Sequence, residues 1–100
     1  NVRILSVSWV SFETGLKLDL KRLGTECRKR GIYFVVDAIQ GVGAASIDVS
    51  DCHIDFFACG GQKWLLSPWG TGFLYVRREL VTQFELGRTQ PDTRTYRDAA

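Results

Sequence analysis

Lys63 is the residue whose neighbours along the chain most strongly suggest chemistry. It comes after an apolar run, residues 56–59, and two glycines, and it precedes Trp64 and two leucines. An ammonium group held among apolar side chains is poorly solvated, which favours the neutral amine that attacks carbonyl carbons and forms a Schiff base. The alternative is a lysine that only covers apolar surface with its methylene stem, the commoner situation for a lysine taken alone.

A carboxylate is predicted to lie close to this amine. Asp37 ends the apolar run of residues 31–36, which is typical of a buried strand. Open α/β sheets bind ligands at the carboxyl ends of their strands. The chain between Asp37 and Lys63 has room for a crossover and a second parallel strand, so we expect both groups at one ligand-binding edge. Alternatively, Asp37 only caps the turn that follows its strand.

The elements that must position these groups follow from the spacing of apolar residues. Asp19 is placed to cap a helix that has apolar residues at helical spacing and ends at Gly31, with Gly24 in its middle at a cost of about 1 kcal/mol relative to alanine. Strand–helix–strand order with continuous apolar strands predicts an α/β fold with a mostly parallel sheet and crossover helices. Strands are predicted at residues 2–9, 31–36, 54–59 and 73–77, and a short helix at residues 78–86.

Composition excludes several classes of protein. The 100 residues are 45% apolar, which excludes a disordered chain and suits a single domain. The net charge is +2, and the densest basic cluster falls at the predicted helix end, so nucleic acid is not an expected partner. No membrane partner is expected either, because no apolar stretch is long enough to span a bilayer and no signal-peptide pattern is present.

The cysteines indicate a reducing environment. There are three, an odd number without the spacing of a metal site, which argues against both a disulfide framework and a metal. A cytoplasmic location is therefore expected. The chain contains no methionine and opens beside an apolar run, which suggests a piece of a larger protein.

Several short motifs occur in a characteristic order. They are Val36-Asp37-Ala38-Ile39-Gln40-Gly41-Val42-Gly43, Ile47-Asp48-Val49, Asp55-Phe56, Gln62-Lys63-Trp64-Leu65 and Pro68-Trp69-Gly70-Thr71-Gly72-Phe73-Leu74-Tyr75. This series resembles the class V aminotransferase family of pyridoxal-phosphate enzymes, which includes the cysteine desulfurases. The resemblance runs from about Ser6 to Arg78. It implies the large cofactor-binding domain of a fold-type I transferase, in which the last predicted strand runs antiparallel to the others.

The resemblance implies a role for each matched residue. Lys63 would carry pyridoxal 5'-phosphate as a Schiff base and later move protons as a general acid and base. Asp37 would pair with the pyridinium nitrogen, and Gln40 would hydrogen-bond the phenolic oxygen of the ring. Gln62 would contact the cofactor phosphate through its amide.

The phosphate contacts depart from the family pattern. Many relatives have serine three residues before the lysine and histidine one residue before it, where this chain has Gly60 and Gln62. A glycine pair lets backbone N–H groups turn towards an anion. We therefore expect phosphate contacts from Gln62 and from the backbone.

The resemblance also implies a function for the whole protein. It would be a transferase or lyase that acts on an amino acid by transamination, C–S cleavage, racemisation or elimination, and it would form a homodimer. A non-catalytic α/β binding module that retains the scaffold is the alternative. Residues 1–87 would be the central segment of the cofactor-binding domain, and residues 88–100 a polar tail or truncated linker.

Two tryptophans flank the lysine. Trp64 and Trp69 are large aromatic residues near a predicted core, and such residues most often pack inside. Packing is the favoured interpretation for both, and lining the substrate side is the alternative.

Overall fold

A computed structural model describes residues 1–83, and four strands and two helices lie in this part of the chain. In chain order they are β1 (Ile4–Ser8), α1 (Leu20–Arg30), β2 (Tyr33–Asp37), β3 (Phe56–Gly60), β4 (Gly72–Val76) and α2 (Arg78–Val81).

The strands form one mixed sheet in the order β1-β2-β3-β4. The pairs β1–β2 and β2–β3 are parallel, and β4 runs antiparallel to β3. This confirms the predicted α/β fold with a mostly parallel sheet and an antiparallel last strand. Of the predicted helix at residues 78–86, the structure shows α2, which ends at Val81, and residues 84–86 lie outside the described part of the chain. The proposed boundary between residues 87 and 88 lies outside the described residues.

Helix α1 begins and ends where its capping residues predict. Asp19 accepts a hydrogen bond from the backbone N–H of Arg22 at 3.1 Å, which satisfies one of the free donors of the first turn. Gly31 adopts a left-handed conformation with φ of 66°, and its N–H donates to carbonyls of the last turn. The crossover between β1 and β2 is therefore a well-terminated helix.

Gly24 has a packing purpose that its helix propensity does not reveal. A Cβ atom at this position would overlap the carbonyl oxygen of Cys52 and would lie 3.2 Å from the ring of Phe34. The absence of a side chain therefore lets α1 approach both the sheet and the segment before β3.

The two faces of the sheet differ. Helix α1 and the segments joining the strands cover one face, where the core residues Phe34, Val36 and Phe57 are at most 2% exposed. The other face is open within residues 1–83 and bears an apolar groove of about 650 Å³. The groove is lined by Arg3, Ile4, Tyr33, Val35, Phe56 and Leu74. Parallel sheets are normally covered on both faces.

Asp55 connects the amino-terminal ends of β2 and β3 with the carboxyl-terminal end of β4. Its side chain is buried and accepts hydrogen bonds from the N–H of Phe34 at 2.8 Å and from the Nε of Arg77 at 2.6 Å. The Nη2 atom of Arg28 lies 3.9 Å from the Oδ1 atom of Asp55. The hydrogen bond to Asp55 raises the pKa of Arg77 above its ordinary value, so the guanidinium stays charged. A buried carboxylate with these partners is a structural element at the end of the sheet opposite to Asp37.

Candidate active site

The carboxyl ends of the three parallel strands form a single row. Ser8 at the end of β1 is the register partner of Asp37 at the end of β2, and Asp37 is the partner of Ala58 in β3. Lys63 follows shortly after β3 ends at Gly60. The predicted edge therefore exists, with the carboxylate at the end of β2 and the amine in the segment that follows the adjacent strand β3.

Three of the predicted residues share one cleft. Asp37, Gln40 and Lys63 all line a cavity of about 480 Å³ at this edge. Its other lining residues are Ser8, Val10, Ser11, Phe12, Glu13 and Ile39. A volume of this size falls in the range of small-molecule sites. The cleft combines a carboxylate, an amide and an amine with the apolar surfaces of Val10 and Ile39.

Asp37 is held in place by the turn that follows it. One carboxylate oxygen accepts the N–H of Ile39 at 3.1 Å, so the residue does serve the turn, as the simpler interpretation holds. The side chain is nevertheless exposed and lines the cleft. No protein donor among residues 1–83 binds its second oxygen, which leaves that oxygen able to accept a hydrogen bond from a ligand.

Within residues 1–83, Lys63 presents its amine without a protein partner. Among the residues that the structure describes, no carboxylate forms an ion pair with its Nζ atom and no acceptor binds it. The side chain is exposed, so the apolar surroundings expected from the sequence are not supplied by this part of the chain.

The backbone after Lys63 lies close to Gly43. A Cβ atom at Gly43, where φ is 92°, would lie 2.8 Å from the carbonyl oxygen of Trp64. The glycine-rich loop after β2 thus packs against the segment that carries the lysine.

Gln62 is not among the residues that line the cleft. Its amide lies against Gly60 at the end of β3. A Cβ atom at Gly60 would lie 2.5 Å from the Oε1 atom of Gln62 and 3.1 Å from Ile39. Gly60 therefore provides the space that the Gln62 amide occupies. The role of Gln62 at a phosphate stays a prediction.

The second glycine of this pair is committed to packing. Gly61 is buried, and its N–H donates to the carbonyl of Thr71 at 2.8 Å. An added Cβ atom would lie 2.5 Å from the hydroxyl of Thr71 and 2.9 Å from Ser67. The N–H of Gly61 already has an acceptor, so it is not one of the backbone donors expected for an anion.

The end of β1 and the loop after it supply cleft residues that were not among the predicted site residues. Ser8, Ser11, Phe12 and Glu13 all line the cavity, and Phe12 is 79% exposed. The sequence could have predicted Ser8 as a cleft residue, because Ser8 ends β1 as Asp37 ends β2. Nothing local in the sequence distinguishes Phe12 or Glu13 from other loop residues.

The tryptophans beside the lysine do not pack within residues 1–83. Trp64 is 57% exposed and Trp69 is 82% exposed. The expectation that both are packing residues is therefore wrong for the described part of the chain. Both lie in the turn-rich segment between Lys63 and β4.

The cysteines are buried and chemically quiet. Burial raises the pKa of the Cys27, Cys52 and Cys59 thiols above the ordinary value, with smaller contributions from nearby carboxylates. The Sγ atom of Cys59 donates to the carbonyl of Gly60 at 3.0 Å. These thiols are poor nucleophiles because the thiolate is the reactive form. No group of three potential metal ligands occurs within residues 1–83.

The donor set of the cleft suits a substituted pyridine aldehyde. A carboxylate can accept the N–H of a protonated ring nitrogen, an amide can donate to a phenolic oxygen, and an amine can condense with the aldehyde. At the ligand edge of an α/β sheet, these are the groups that a domain holding a carbonyl cofactor by a lysine requires.

Comparison with known proteins identifies the family. The family model for aminotransferase class-V matches residues 1–96. The chain belongs to this family, whose members are pyridoxal-phosphate-dependent enzymes. Within residues 1–83, neither helix reaches the length and hydrophobicity that crossing a bilayer demands.

Individual relatives agree with this assignment. The chain is 44% identical over 77 residues to isopenicillin N epimerase of Amycolatopsis lactamdurans, which covers 77% of the chain and 19% of that protein. It is 41% identical over 76 residues to the cysteine desulfurase IscS of Rickettsia bellii, covering 76% of the chain and 18% of the relative. The chain thus spans about a fifth of the length of these relatives.

Solved structures show the same fold. The apo cysteine desulfurase of Thermococcus onnurineus matches with a TM-score of 0.77 at 35% identity, over 80% of this chain and 20% of that one. The ureidoglycine–glyoxylate aminotransferase of Bacillus subtilis matches with a TM-score of 0.77 at 30% identity, over 91% of this chain and 23% of that one.

Proposed function

We propose that this chain is the cofactor-binding segment of a pyridoxal-phosphate-dependent enzyme that acts on an amino acid through a lysine Schiff base. The observation that carries the proposal is the shared cleft of Asp37, Gln40 and Lys63. Residues that are far apart along the chain meet at the edge where such sheets bind ligands. Membership of the class V family supports the same conclusion.

Each of the three side chains has a defined task in this proposal. Lys63 would hold the cofactor through its amine, and its free amine would transfer protons as a general acid and base. Asp37 accepts a hydrogen bond from the ring nitrogen through the oxygen that Ile39 leaves open, and Gln40 orients the ring through its phenolic oxygen. Gln62 donates to the phosphate from beside the strand end. The cofactor itself supplies an electron sink for charge developing on the substrate α-carbon.

The site requires parts of a longer polypeptide. The chain spans about a fifth of its relatives, and Lys63 is exposed within the described residues. We propose that the remaining domain supplies the covering of the amine, further phosphate contacts and the cation that binds the substrate carboxylate. The relatives include an epimerase, cysteine desulfurases and an aminotransferase, so racemisation, C–S cleavage, elimination and transamination are the candidate reactions.

The cysteines and the exposed apolar surface bear on the location and the oligomeric state of the protein. Three free buried cysteines suit a reducing compartment, and we propose a cytoplasmic location. We also propose a homodimer as the working form, because the open groove and the exposed aromatics of this segment leave apolar surface for further contacts.

The test is chemical trapping at Lys63. The full-length protein is incubated with pyridoxal 5'-phosphate, reduced with borohydride, digested and mapped by mass spectrometry. We expect a visible absorption band before reduction and the label on the peptide that contains Lys63. The variant Lys63→Ala should lose both the band and the label.

Lys17→Ala is the matched control, since Lys17 is exposed and does not line the cleft. It should be labelled at Lys63 as strongly as the unchanged protein. Label spread evenly over surface lysines, or an unchanged band in Lys63→Ala, would contradict the proposal and favour a binding module without the lysine chemistry.

A further inference from the structure

Ser8 offers a hydroxyl group to the cleft that none of the roles above uses. It is the last residue of β1, its side chain is exposed, and it lines the same cavity as Asp37 and Lys63. A serine at the end of a strand is ordinary in itself. Its neighbours in the sheet are what make this one informative.

The sheet holds Ser8 and Asp37 side by side. They are register partners in the parallel pair β1–β2, so their side chains leave the same face and their strands lie about 4.8 Å apart. The N–H of Trp9 donates to the carbonyl of Asp37 at 2.9 Å just beyond this pair, which keeps the two strand ends together. A group bound by the carboxylate of Asp37 is therefore within reach of the hydroxyl of Ser8.

The hydroxyl of Ser8 has no hydrogen-bond partner among residues 1–83. The other serine of the cleft differs, because the hydroxyl of Ser11 accepts the N–H of Thr14 at 3.3 Å and so supports its own turn. Ser8 thus keeps both a donor and an acceptor available, beside a carboxylate whose orientation is set by the N–H of Ile39.

We propose that Ser8 is a further cofactor-binding residue: its hydroxyl hydrogen-bonds the ligand held by Asp37 and limits the rotation of that ligand in the cleft. This inference rests on the proposed function. It assigns the end of β1 a direct part in the site, in addition to the ends of β2 and β3.

The test compares binding of pyridoxal 5'-phosphate by the full-length protein and by Ser8→Ala. The Kd comes from titration of the visible absorption, and the visible circular dichroism of the bound cofactor reports how firmly it is oriented. Loss of one hydrogen bond should raise the Kd about three- to tenfold and weaken the dichroism. Ser8→Thr keeps a hydroxyl on a side chain that suits a strand, and it should restore both readouts.

Ser6→Ala is the matched control, because Ser6 lies on the same face of β1, pairs with Val35 and does not line the cleft. Its Kd and dichroism should equal those of the unchanged protein. Equal losses in Ser6→Ala and Ser8→Ala would overturn the inference, since they would indicate loosening of β1.

The outcome is separable from that of the proposed function. Normal labelling of Lys63 with unchanged Kd and dichroism in Ser8→Ala defeats only the role of Ser8. Failure of the unchanged protein to label at Lys63 defeats the proposed function and this inference with it. The thermal unfolding midpoint should be the same for all variants, because both serines are exposed.

Discussion

Two aspartates at opposite ends of the sheet show how burial decides the purpose of a carboxylate. Asp55 is 3% exposed, and its two oxygens accept hydrogen bonds from the N–H of Phe34 and the guanidinium of Arg77. Asp37 is exposed, has one protein donor and faces the cleft. The first carboxylate stabilises the fold, and the second is available to a ligand. Their neighbours along the chain look similar, since both adjoin apolar strands.

The variant Asp55→Ala is predicted to destabilise the protein strongly. Removal of the carboxylate leaves the buried N–H of Phe34 without its acceptor and leaves the half-buried Arg77 with the exposed Glu79 as its partner, and the expected cost is about 3 kcal/mol. Chemical denaturation followed by tryptophan fluorescence measures the free energy of unfolding. Asp51→Ala is the control, because Asp51 pairs with Lys21 at an exposed site and its loss should leave the free energy of unfolding nearly unchanged. Equal effects of the two substitutions would disprove the structural role of Asp55.

Helix α1 contains a glycine whose purpose in packing cannot be seen from helix propensity. Its caps at Asp19 and Gly31 are local features, and the sequence predicted both ends. Gly24 was expected to weaken the helix, yet the structure shows that its missing side chain makes room for the carbonyl of Cys52. The residue is unfavourable for the isolated helix and favourable for the packed one.

The variant Gly24→Ala is therefore predicted to destabilise the protein, contrary to helix propensity. Propensity would add about 1 kcal/mol of stability, but forcing a methyl group against a backbone carbonyl costs about 1–3 kcal/mol, and backbone cannot yield as a side chain does. The thermal unfolding midpoint of Gly24→Ala should fall. Lys29→Ala, on the exposed side of the same helix, should leave the midpoint nearly unchanged. A rise in the midpoint of Gly24→Ala would show that α1 can move away from Cys52.

For the whole molecule, the buried cysteines link folding to pH. Burial raises the pKa of Cys27, Cys52 and Cys59 above the ordinary value of 9.0, so the folded protein keeps its thiols protonated where the unfolded chain begins to lose those protons. This contribution to stability is fully present below the unfolded pKa and is lost as the pH rises above it.

Thiolate absorbance in the ultraviolet gives the test. We expect the folded protein to develop this absorbance at a higher pH than the same chain in denaturant, and a thiol reagent to react slowly with the folded protein below pH 9.0. The denatured chain is the internal control. Thiols that titrate at the same pH in both states would contradict the burial seen here.

The described residues leave several apolar surfaces exposed. One face of the sheet is covered by α1 and by the segments joining the strands, and the other bears an apolar groove. Phe12 in the cleft and the tryptophans Trp64 and Trp69 that follow Lys63 add exposed aromatic surface. These surfaces agree with a chain that spans about a fifth of its relatives.

Several features could be read from the sequence because their causes are local. Asp19 and Gly31 bound a helix through hydrogen bonds to their own neighbours, and apolar runs mark strands whichever partners they find. The rule that parallel strands end at one edge then placed Asp37 near Lys63. The order of short motifs identified the family, because a series of matched residues is far more specific than any one of them.

Other features depended on contacts between distant segments, which no local pattern records. Only the folded chain showed that Ser8 stands in register with Asp37, that Gly60 makes room for the amide of Gln62, and that Gly61 has already committed its N–H to Thr71. The sequence by itself determined the elements, the family and the chemical groups of the site. Tertiary structure decided which of those groups share a cleft, because register and close packing are set by pairs of residues that lie far apart along the chain.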